Sequence, residues 1–207
     1  MNILLYGGTF NPPHIGHVAA AKTAWEILAP DKLIWMPAGD PPHKALPPGT
    51  PGAAHRLEMS RLALLNFPEA ELSDLEIRSK GLRYTFDTAG AILARAPGAR
   101  LTILTGGDML MSLDSWHRAP ELLARYAIAA ITRGGGYTKA LEEKAMELIR
   151  GFGARISILP HIPVEISSTA LRSMLRRKEG REYLAEPVWN YIRENGLYLK
   201  DIVVARK

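Results

Sequence analysis

The chain reads GGTFNPPHIGH from Gly7 to His17, and this stretch decides the fold. It follows a short apolar segment, Ile3–Tyr6, and precedes a segment with helical character, Val18–Leu28. A strand that turns through glycines into a helix is typical of a phosphate-binding site, because glycines let backbone N–H groups approach an anion and a helix N-terminus offers unpaired donors. The stretch therefore predicts a strand, a phosphate turn and a helix.

Two histidines, His14 and His17, stand at this turn three positions apart. That spacing places both on one face of a helix start, where imidazoles can donate hydrogen bonds to a polyphosphate as charge builds up on it. Three other interpretations are open: a zinc site, a purely structural glycine turn and a redox dinucleotide site. No His-Glu-x-x-His pattern surrounds the pair, and the glycines lack the G-x-G-x-x-G rhythm. Nucleotide chemistry with phosphate as the reacting group is favoured.

Composition is that of a globular protein of 207 residues, 47% hydrophobic and 23% charged, with a net charge of +5 and a pI near 9.5. This length predicts a single domain over residues 1–207. The positive charge suits anionic ligands. Cysteine is absent, which excludes disulfides and thiolate catalysis. Without a secretory leader or a long apolar run, we expect a cytoplasmic protein with no membrane partner.

Strand-like and helical segments alternate along the chain. This alternation predicts an α/β fold: a Rossmann-like, doubly wound, mainly parallel sheet with helices on both faces and a small C-terminal helical annex over residues 170–207. Residues 37–51 are rich in proline and glycine and predict an irregular loop. The predicted strands are Ile3–Tyr6, Lys32–Met36, Leu72–Ile77, Leu101–Thr105, Tyr126–Thr132 and Ile156–Leu159. The predicted helices are Val18–Leu28, Ala54–Phe67, Thr85–Ala96, Lys139–Arg150, one after Ser168 and one over Pro187–Asn195.

Four further segments lie at predicted strand ends or helix starts, where ligands bind in such sheets. Lys44, in the proline-rich loop, suits phosphate as a point charge. Asp108 follows Gly106-Gly107 and can accept hydrogen bonds from a ribose, while Trp116 offers a stacking face. Each feature also has a structural interpretation: a solvated lysine, Asp108 as a helix cap, and a packed tryptophan.

The other two segments begin predicted helices. In Arg83–Thr88, Thr85 or Asp87 can either serve a ligand or cap the helix. In Ile166–Arg172, we expect Ser168 or Thr169 to cap a helix whose free N–H groups bind phosphate, with Arg172 forking onto phosphate oxygens. An ordinary capped helix is the alternative for this segment taken alone. The His-x-Gly-His run upstream favours the phosphate interpretation.

With these pieces in order along it, the chain resembles the nucleotidylyltransferase superfamily, marked by His-x-Gly-His and Ser-Ser-Thr-x-x-Arg. Within that superfamily it is similar to the bacterial nicotinate-nucleotide adenylyltransferases. The matching pieces are Gly7–His17, Pro42–Lys44, Tyr84–Thr88, Gly106–Asp108 with Trp116, and Ile166–Arg172.

The resemblance implies an enzyme that joins ATP and nicotinate mononucleotide into nicotinate adenine dinucleotide and pyrophosphate, with Mg²⁺. The sequence has no carboxylate cluster that offers a cage, so we expect Mg²⁺ to be bound by phosphate oxygens and water. It has no clustered basic residues interleaved with aromatics, so we expect no nucleic-acid partner. The resemblance implies catalytic roles for His14, His17, Lys44 and Arg172. It implies contacts to ATP from Gly8, Thr9, Phe10, Gly106, Asp108, Ser167, Ser168 and Thr169, and contacts to nicotinate mononucleotide from Tyr84, Thr85 and Trp116.

Two positions depart from the family pattern. Asn11 stands where many relatives carry aspartate, a change we expect to leave the backbone contacts to phosphate intact. Arg83 stands where many carry serine, close to the expected pyridine-nucleotide pocket, so the preference for acid over amide stays open.

The rival enzymes are a nicotinamide-preferring adenylyltransferase, a phosphopantetheine adenylyltransferase and a class I aminoacyl-tRNA synthetase. This chain lacks the Lys-Met-Ser-Lys-Ser loop that an aminoacyl-tRNA synthetase of that class would carry. A nucleotide-binding sensor or a nucleic-acid-binding module are the non-enzyme alternatives, and the oligomeric state is open.

Overall fold

The computed structural model describes residues 1–39, 46–79, 84–132, 139–160, 164 and 166–198. Six strands form a sheet in the order β3-β2-β1-β4-β5-β6, and every neighbouring pair is parallel. This is the doubly wound arrangement predicted from the sequence, with the chain reversing direction across the sheet between β1 and β4. The strands are β1 (Asn2–Gly8), β2 (Lys32–Pro37), β3 (Ala70–Leu72), β4 (Arg100–Gly106), β5 (Ala127–Ile131) and β6 (Arg155–Leu159).

Helices connect these strands, since parallel neighbours require a crossover. The described helices are α1 (Ile15–Leu28), α2 (Ala53–Ala63), α3 (Leu75–Arg78), α4 (Thr85–Ala94), α5 (Gly107–Leu110), α6 (Ala119–Arg125), α7 (Lys139–Phe152), α8 (Ser168–Arg176) and α9 (Glu186–Glu194). Two 3₁₀ turns, Leu113–Ser115 and Arg181–Tyr183, lie among them.

Strand β1 is buried on both faces, and its residues alternate between two hydrophobic clusters. Ile3 and Leu5 belong to the cluster that includes α4, α6 and α7, whereas Leu4 and Tyr6 belong to the cluster that includes α1. A strand covered on both faces reads as a continuous apolar run, which is why the sequence shows no alternation there. Helices therefore lie on both faces of the sheet, as predicted.

The C-terminal helices build a third cluster on α2. Leu171 and Leu175 of α8, with Val188 and Ile192 of α9, pack against Met59. Their spacing of four residues places each pair on one helix face. The segment predicted as an annex thus packs against a helix from the first third of the chain; that residues 1–207 form one domain stays a prediction.

One predicted strand is wrong. Leu72–Ile77 is not a single strand, because β3 ends at Leu72 and α3 begins at Leu75. Pairing with β2 stops where the Ser73 N–H donates to the Trp35 carbonyl, and the Ser73 hydroxyl then accepts from the Leu75 N–H at 3.4 Å. A serine that bonds the backbone two residues on favours a turn over a strand.

The sequence patterns predict no helix at α3, α5 or α6, and the other differences concern element ends. Helix α1 begins at Ile15 rather than Val18, because the chain leaves extended geometry at His14; α2 ends at Ala63, short of Phe67. Among the described residues, no helix is both long enough and apolar enough to cross a membrane.

Candidate active site

The sheet order brings two of the predicted segments to one edge. Strands β1 and β4 are hydrogen-bonded neighbours, and Tyr6 is in register with Leu104. The turn after β1 and the Gly106–Asp108 segment after β4 therefore emerge side by side, at the point where the connections reverse direction. Ligands in open α/β sheets bind in the crevice at such a point.

Aromatic packing shapes the turn after β1. Phe10 has a φ of +45° and is only 3% exposed. Its ring stacks on Trp35 with the centroids 4.2 Å apart and meets the ring of His17 edge-on at 5.2 Å. A non-glycine residue in the left-handed region needs surrounding contacts to hold it there. The stack on Trp35 of β2 provides those contacts, and the same Phe10 ring packs against His17.

The two histidine rings lie together at the start of α1. Their centroids are 3.6 Å apart, and the His14 N–H donates to Nδ1 of His17 at 3.2 Å. Because Nδ1 accepts, the neutral ring of His17 carries its proton on Nε2, which makes that nitrogen a donor. His14 is buried, whereas His17 is half-buried. The arrangement leaves Nε2–H of His17 in the donor form that a phosphate oxygen requires.

Gly16 has a packing role within the same motif. A Cβ placed there would lie 3.1 Å from Nδ1 and 3.2 Å from Cε1 of His14, and 3.5 Å from Cβ of Val164. The two distances to His14 are shorter than most real Cβ contacts, so the His14 ring would have to give by a few tenths of an ångström to admit a side chain at position 16. The glycine of the His-x-Gly-His motif therefore makes room for the stacked histidines.

Helix α8 docks its first turn on the phosphate turn. Nη1 of Arg172 donates to the Asn11 carbonyl at 2.8 Å, and the Ser168 hydroxyl donates to the Pro12 carbonyl at 3.4 Å. Nη2 of Arg172 also donates to the Thr169 hydroxyl at 3.0 Å. Partial burial lowers the pKa of the Arg172 guanidinium, and the neighbouring charge of Arg176 acts in the same direction. The N- and C-terminal motifs, far apart in the sequence, thus meet at one place.

The expected cap of α8 needs correcting. The N-cap is Ser167, whose hydroxyl accepts from the Ala170 N–H at 3.1 Å, rather than Ser168 or Thr169. Ser168 and Thr169 are the first helical residues, and their hydroxyls bond Pro12 and Arg172 instead. The helix therefore starts one residue earlier than a Ser168 cap predicts and two residues earlier than a Thr169 cap predicts.

Asn11 lies outside the His-x-Gly-His motif, but its side chain makes two hydrogen bonds to distant segments of the chain. It is 3% exposed; its Oδ1 accepts from the Tyr198 hydroxyl at 2.6 Å, and its Nδ2 donates to the Thr50 hydroxyl at 2.9 Å. Burial raises the pKa of Tyr198 well above its usual range, which keeps that hydroxyl a donor. An aspartate would lack the amide donor toward Thr50. The departure at this position therefore changes hydrogen bonding, and the expectation that it leaves the backbone contacts to phosphate intact stays a prediction.

In the segment after β4, the helix cap is not Asp108, as the structural interpretation of the sequence would have it. Gly106 is the N-cap of α5, Gly107 is buried against Leu141, and Asp108 is an exposed residue of the first turn. A Cβ on Gly107 would lie 3.3 Å from Cδ2 of Leu141. Asp108 therefore does not cap the helix, and its carboxylate stands at the sheet edge predicted to hold a ribose.

The predicted pyridine-nucleotide residues lie on two neighbouring elements. Tyr84 is the N-cap of α4 by position, without a side-chain capping bond, so neither Thr85 nor Asp87 caps that helix. The Tyr84 ring stacks on His117, with the centroids 3.9 Å apart. This contact brings α4 beside Trp116, which is half-buried against the core. His117 escaped the sequence interpretation, since no motif marks it.

Two predicted positions lie outside the described residues: Lys44 and Arg83. Their roles stay predictions, as do the ligand contacts expected of the other residues above.

The sequence profile of the family described as "Cytidylyltransferase-like" matches residues 5–174. The chain belongs to this family.

Curated relatives narrow the comparison. A "Probable nicotinate-nucleotide adenylyltransferase" of Synechococcus sp. (strain JA-2-3B'a(2-13)) is 36% identical over 201 residues, covering 96% of this chain and 97% of its own. A protein of the same name from Carboxydothermus hydrogenoformans is 33% identical and covers 94% of this chain and 96% of its own. The resemblance predicted from the motifs is confirmed, and it extends over nearly the whole chain.

Solved structures give the same fold. The nicotinic acid mononucleotide adenylyltransferase of Plasmodium falciparum complexed with NaAD superposes with a TM-score of 0.78, covering 95% of this chain and 97% of its own at 20% identity. At that identity the superposition supports the fold alone.

Proposed function

We propose that this protein transfers the adenylyl group of ATP to nicotinate mononucleotide, forming nicotinate adenine dinucleotide and pyrophosphate. One observation carries the proposal: Arg172 and Ser168 of α8 bond the Asn11-Pro12 backbone directly beside the stacked His14 and His17. This brings the Arg172 guanidinium and the histidine pair of the two superfamily motifs to one place. The names of the relatives supply the substrate pair.

In the proposed reaction, a phosphate oxygen of the mononucleotide attacks the α-phosphorus of ATP in line. A new P–O bond forms as the bond to the β-phosphate oxygen breaks, and pyrophosphate leaves with the bonding electrons. The nucleophile is already an anion, so no general base is required and catalysis reduces to positioning and charge stabilisation. Nε2–H of His17 donates to phosphate oxygens as their charge grows, and Arg172 and Lys44 neutralise the leaving group.

The remaining roles follow the same division. Gly8, Thr9 and Phe10 offer backbone contacts to the reacting phosphates, and the first turn of α8 offers N–H groups to the pyrophosphate. Gly106 lets the nucleotide approach β4, where Asp108 accepts from a ribose. Thr85 and Trp116 hold the nicotinate half, with Trp116 stacked on its ring.

The proposal includes Mg²⁺ bound to the phosphates of ATP. Among the described residues, no cluster of three or more histidine, aspartate or glutamate side chains could hold a metal ion. We therefore expect phosphate oxygens and water, rather than a protein cage, to be its ligands. When bound, the ion would neutralise phosphate charge.

Pyrophosphate release tests the proposal. The purified protein is incubated with ATP and, in parallel, nicotinate mononucleotide, nicotinamide mononucleotide or phosphopantetheine. We expect release with nicotinate mononucleotide, in preference to the other two. Release only with phosphopantetheine would indicate the rival enzyme, and no release from folded protein would favour a binding module.

A further inference from the structure

Arg56 of α2 is a charged side chain that the reaction proposed above does not use. It is 0% exposed and lies among the largest fully buried side chains of the described chain. Burying a guanidinium is unfavourable by several kcal/mol unless hydrogen bonds and charge compensate for lost water. The site at which Arg56 is buried must therefore supply that compensation.

Backbone carbonyls on two neighbouring strand ends supply it. Nη1 of Arg56 donates to the carbonyls of Thr9 at 3.0 Å and Ala38 at 2.7 Å, and Nη2 donates to Gly39 at 3.0 Å. Thr9 lies in the phosphate turn, whereas Ala38 and Gly39 follow β2. The planar guanidinium thus bridges the segment after β1 and the segment after β2.

This bridge begins where the sheet ends. The β1–β2 register runs to the pair Gly8 and Pro37, and the Ala38 N–H still donates to the Gly8 carbonyl at 2.8 Å. The β1–β2 register ends there, and Arg56 connects the segments that follow the two strands. Its side chain therefore continues the sheet's hydrogen bonding into the phosphate turn.

A carboxylate extends the network toward the other half of the site. Glu76 of α3 accepts from the Thr88 hydroxyl at 2.7 Å and from the Gly39 N–H, and it lies within the electrostatic reach of Arg56. Thr88 is in the first turn of α4, three residues after Thr85. One buried network consequently links the phosphate turn to the helix start expected to bind the pyridine nucleotide.

We propose that Arg56 is a positioning residue for adenylyl transfer: its guanidinium sets the Thr9 backbone against the end of β2 and so aligns the donors of the phosphate turn. This inference rests on the proposed function. Arginine is needed because its fixed fork reaches separate carbonyls at once, whereas the single ammonium of a lysine cannot reproduce that geometry. Small displacements of aligned groups reduce turnover strongly, since the reaction depends on positioning.

Arg56→Lys is the primary test, with Arg61→Lys as its matched control. Arg61 lies on the same helix, but it is exposed and paired with Glu58. Steady-state kinetics with ATP and nicotinate mononucleotide are measured per folded molecule, with the folded fraction taken from circular dichroism. We expect kcat to fall roughly ten- to hundredfold in Arg56→Lys, with smaller changes in either KM. Arg61→Lys should match the wild type.

Gly39→Ala tests the same network without touching the arginine. A Cβ on Gly39 would lie 2.7 Å from the Glu76 carbonyl oxygen, so the backbone of Gly39 or that of Glu76 must shift, and either shift disturbs the network. Gly52→Ala is its control, because a Cβ there meets nothing within 4 Å. We expect Gly39→Ala to lower kcat in the same manner as Arg56→Lys, and Gly52→Ala to leave it unchanged.

Wild-type kcat per folded molecule in both Arg56→Lys and Gly39→Ala would overturn the inference, because Arg56 would then only stabilise the fold. Should Arg56→Lys not fold, the kcat of Gly39→Ala measured against its control Gly52→Ala decides the question. Activity absent from all proteins, wild type and controls included, would overturn the proposed function and this inference with it.

Discussion

The phosphate turn and the pyridine-nucleotide side are built differently. In the turn, Phe10, Asn11 and His14 are buried, and side chains from α2, α8 and the C-terminal segment bond its backbone or its amide. On the other side, Trp116 is half-buried and His117 is exposed, and Arg118 pairs with Glu121 at the surface. The first region is fixed by polar contacts together with buried stacked rings, whereas the rings of the second region stack near solvent.

This difference matches what each region is proposed to do. Stabilising charge on a transferring phosphoryl group requires donors that do not reorganise during the reaction. Holding a flat aromatic ring requires mainly a stacking surface, which tolerates exposure. We therefore expect changes in the turn to act on kcat and changes on the pyridine side to act on KM for the mononucleotide.

His17→Ala has the largest expected effect. Loss of one charge-stabilising donor lowers turnover by about 10²–10³-fold, while circular dichroism should show a folded protein. His55→Ala is the control, since His55 bonds only the Tyr191 hydroxyl in α9, at 2.8 Å, among its described hydrogen bonds. Near-normal kcat in folded His17→Ala would contradict the donor role.

Trp116→Ala comes next and acts on the other region. We expect KM for nicotinate mononucleotide to rise about tenfold, with KM for ATP unchanged, because a stacked aromatic contributes about 1–3 kcal/mol. Trp116→Phe should restore most of the loss. Trp189→Ala removes a half-buried indole from α9 and serves as the control. Equal increases in both KM values would show that Trp116 does not act selectively on the mononucleotide.

The sequence was informative where a function depends on short-range geometry. The run from Gly7 to His17 predicts strand, turn and helix because glycines, prolines and histidines act through neighbouring backbone atoms. Strand-helix alternation likewise predicted the sheet. What the sequence did not reveal depends on contacts between distant segments: Arg56 on Thr9, Tyr198 on Asn11, and His117 on Tyr84. No short motif distinguishes the buried Arg56 from the exposed Arg61, five residues further along the same helix.

The boundary between β3 and α3 shows the same limit at a smaller scale. Leu72 and Ile77 are both apolar, so the segment suggests a strand, but the hydroxyl of Ser73 redirects the backbone. A serine can do this in many contexts, and only the end of pairing with β2 decides the outcome.

Gly16→Ala tests whether the phosphate turn tolerates a small movement of His14. The added methyl must displace the His14 ring by a few tenths of an ångström, given the 3.1 Å distance to Nδ1. We expect kcat to fall about tenfold with little change in KM for the mononucleotide. Gly151→Ala in α7 is the control, because a Cβ there meets nothing within 4 Å. That control should keep full kcat and gain at most about 1 kcal/mol in the free energy of unfolding from helix propensity. An unchanged kcat in Gly16→Ala would show that the turn tolerates movement of His14.

Glu76→Gln has the smallest expected effect and concerns the junction of the two regions. Burial raises the pKa of the Glu76 carboxyl, while hydrogen bonds from Thr88 and Gly39 and the charge of Arg56 oppose that shift without cancelling it. The native protein thus binds this proton more tightly than the unfolded chain does. Wild-type stability should therefore decline, through this group, as pH rises from the ordinary carboxyl pKa to the raised value. Glutamine has no proton to lose, so the free energy of unfolding of Glu76→Gln relative to wild type should increase over that range.

Glu58→Gln gives the opposite sign and makes this prediction specific. The hydrogen bond from Arg61 lowers the pKa of Glu58, so its charged form stabilises the protein above the ordinary carboxyl pKa, and that contribution disappears as pH falls through the lowered value. Urea unfolding of both variants and the wild type across the acidic to neutral range should then give differences that diverge with rising pH, upward for Glu76→Gln and downward for Glu58→Gln. If the two differences ran parallel, burial would not govern Glu76. The link between the phosphate turn and α4 would then be an ion pair with Arg56 rather than a buried network that disfavours charge.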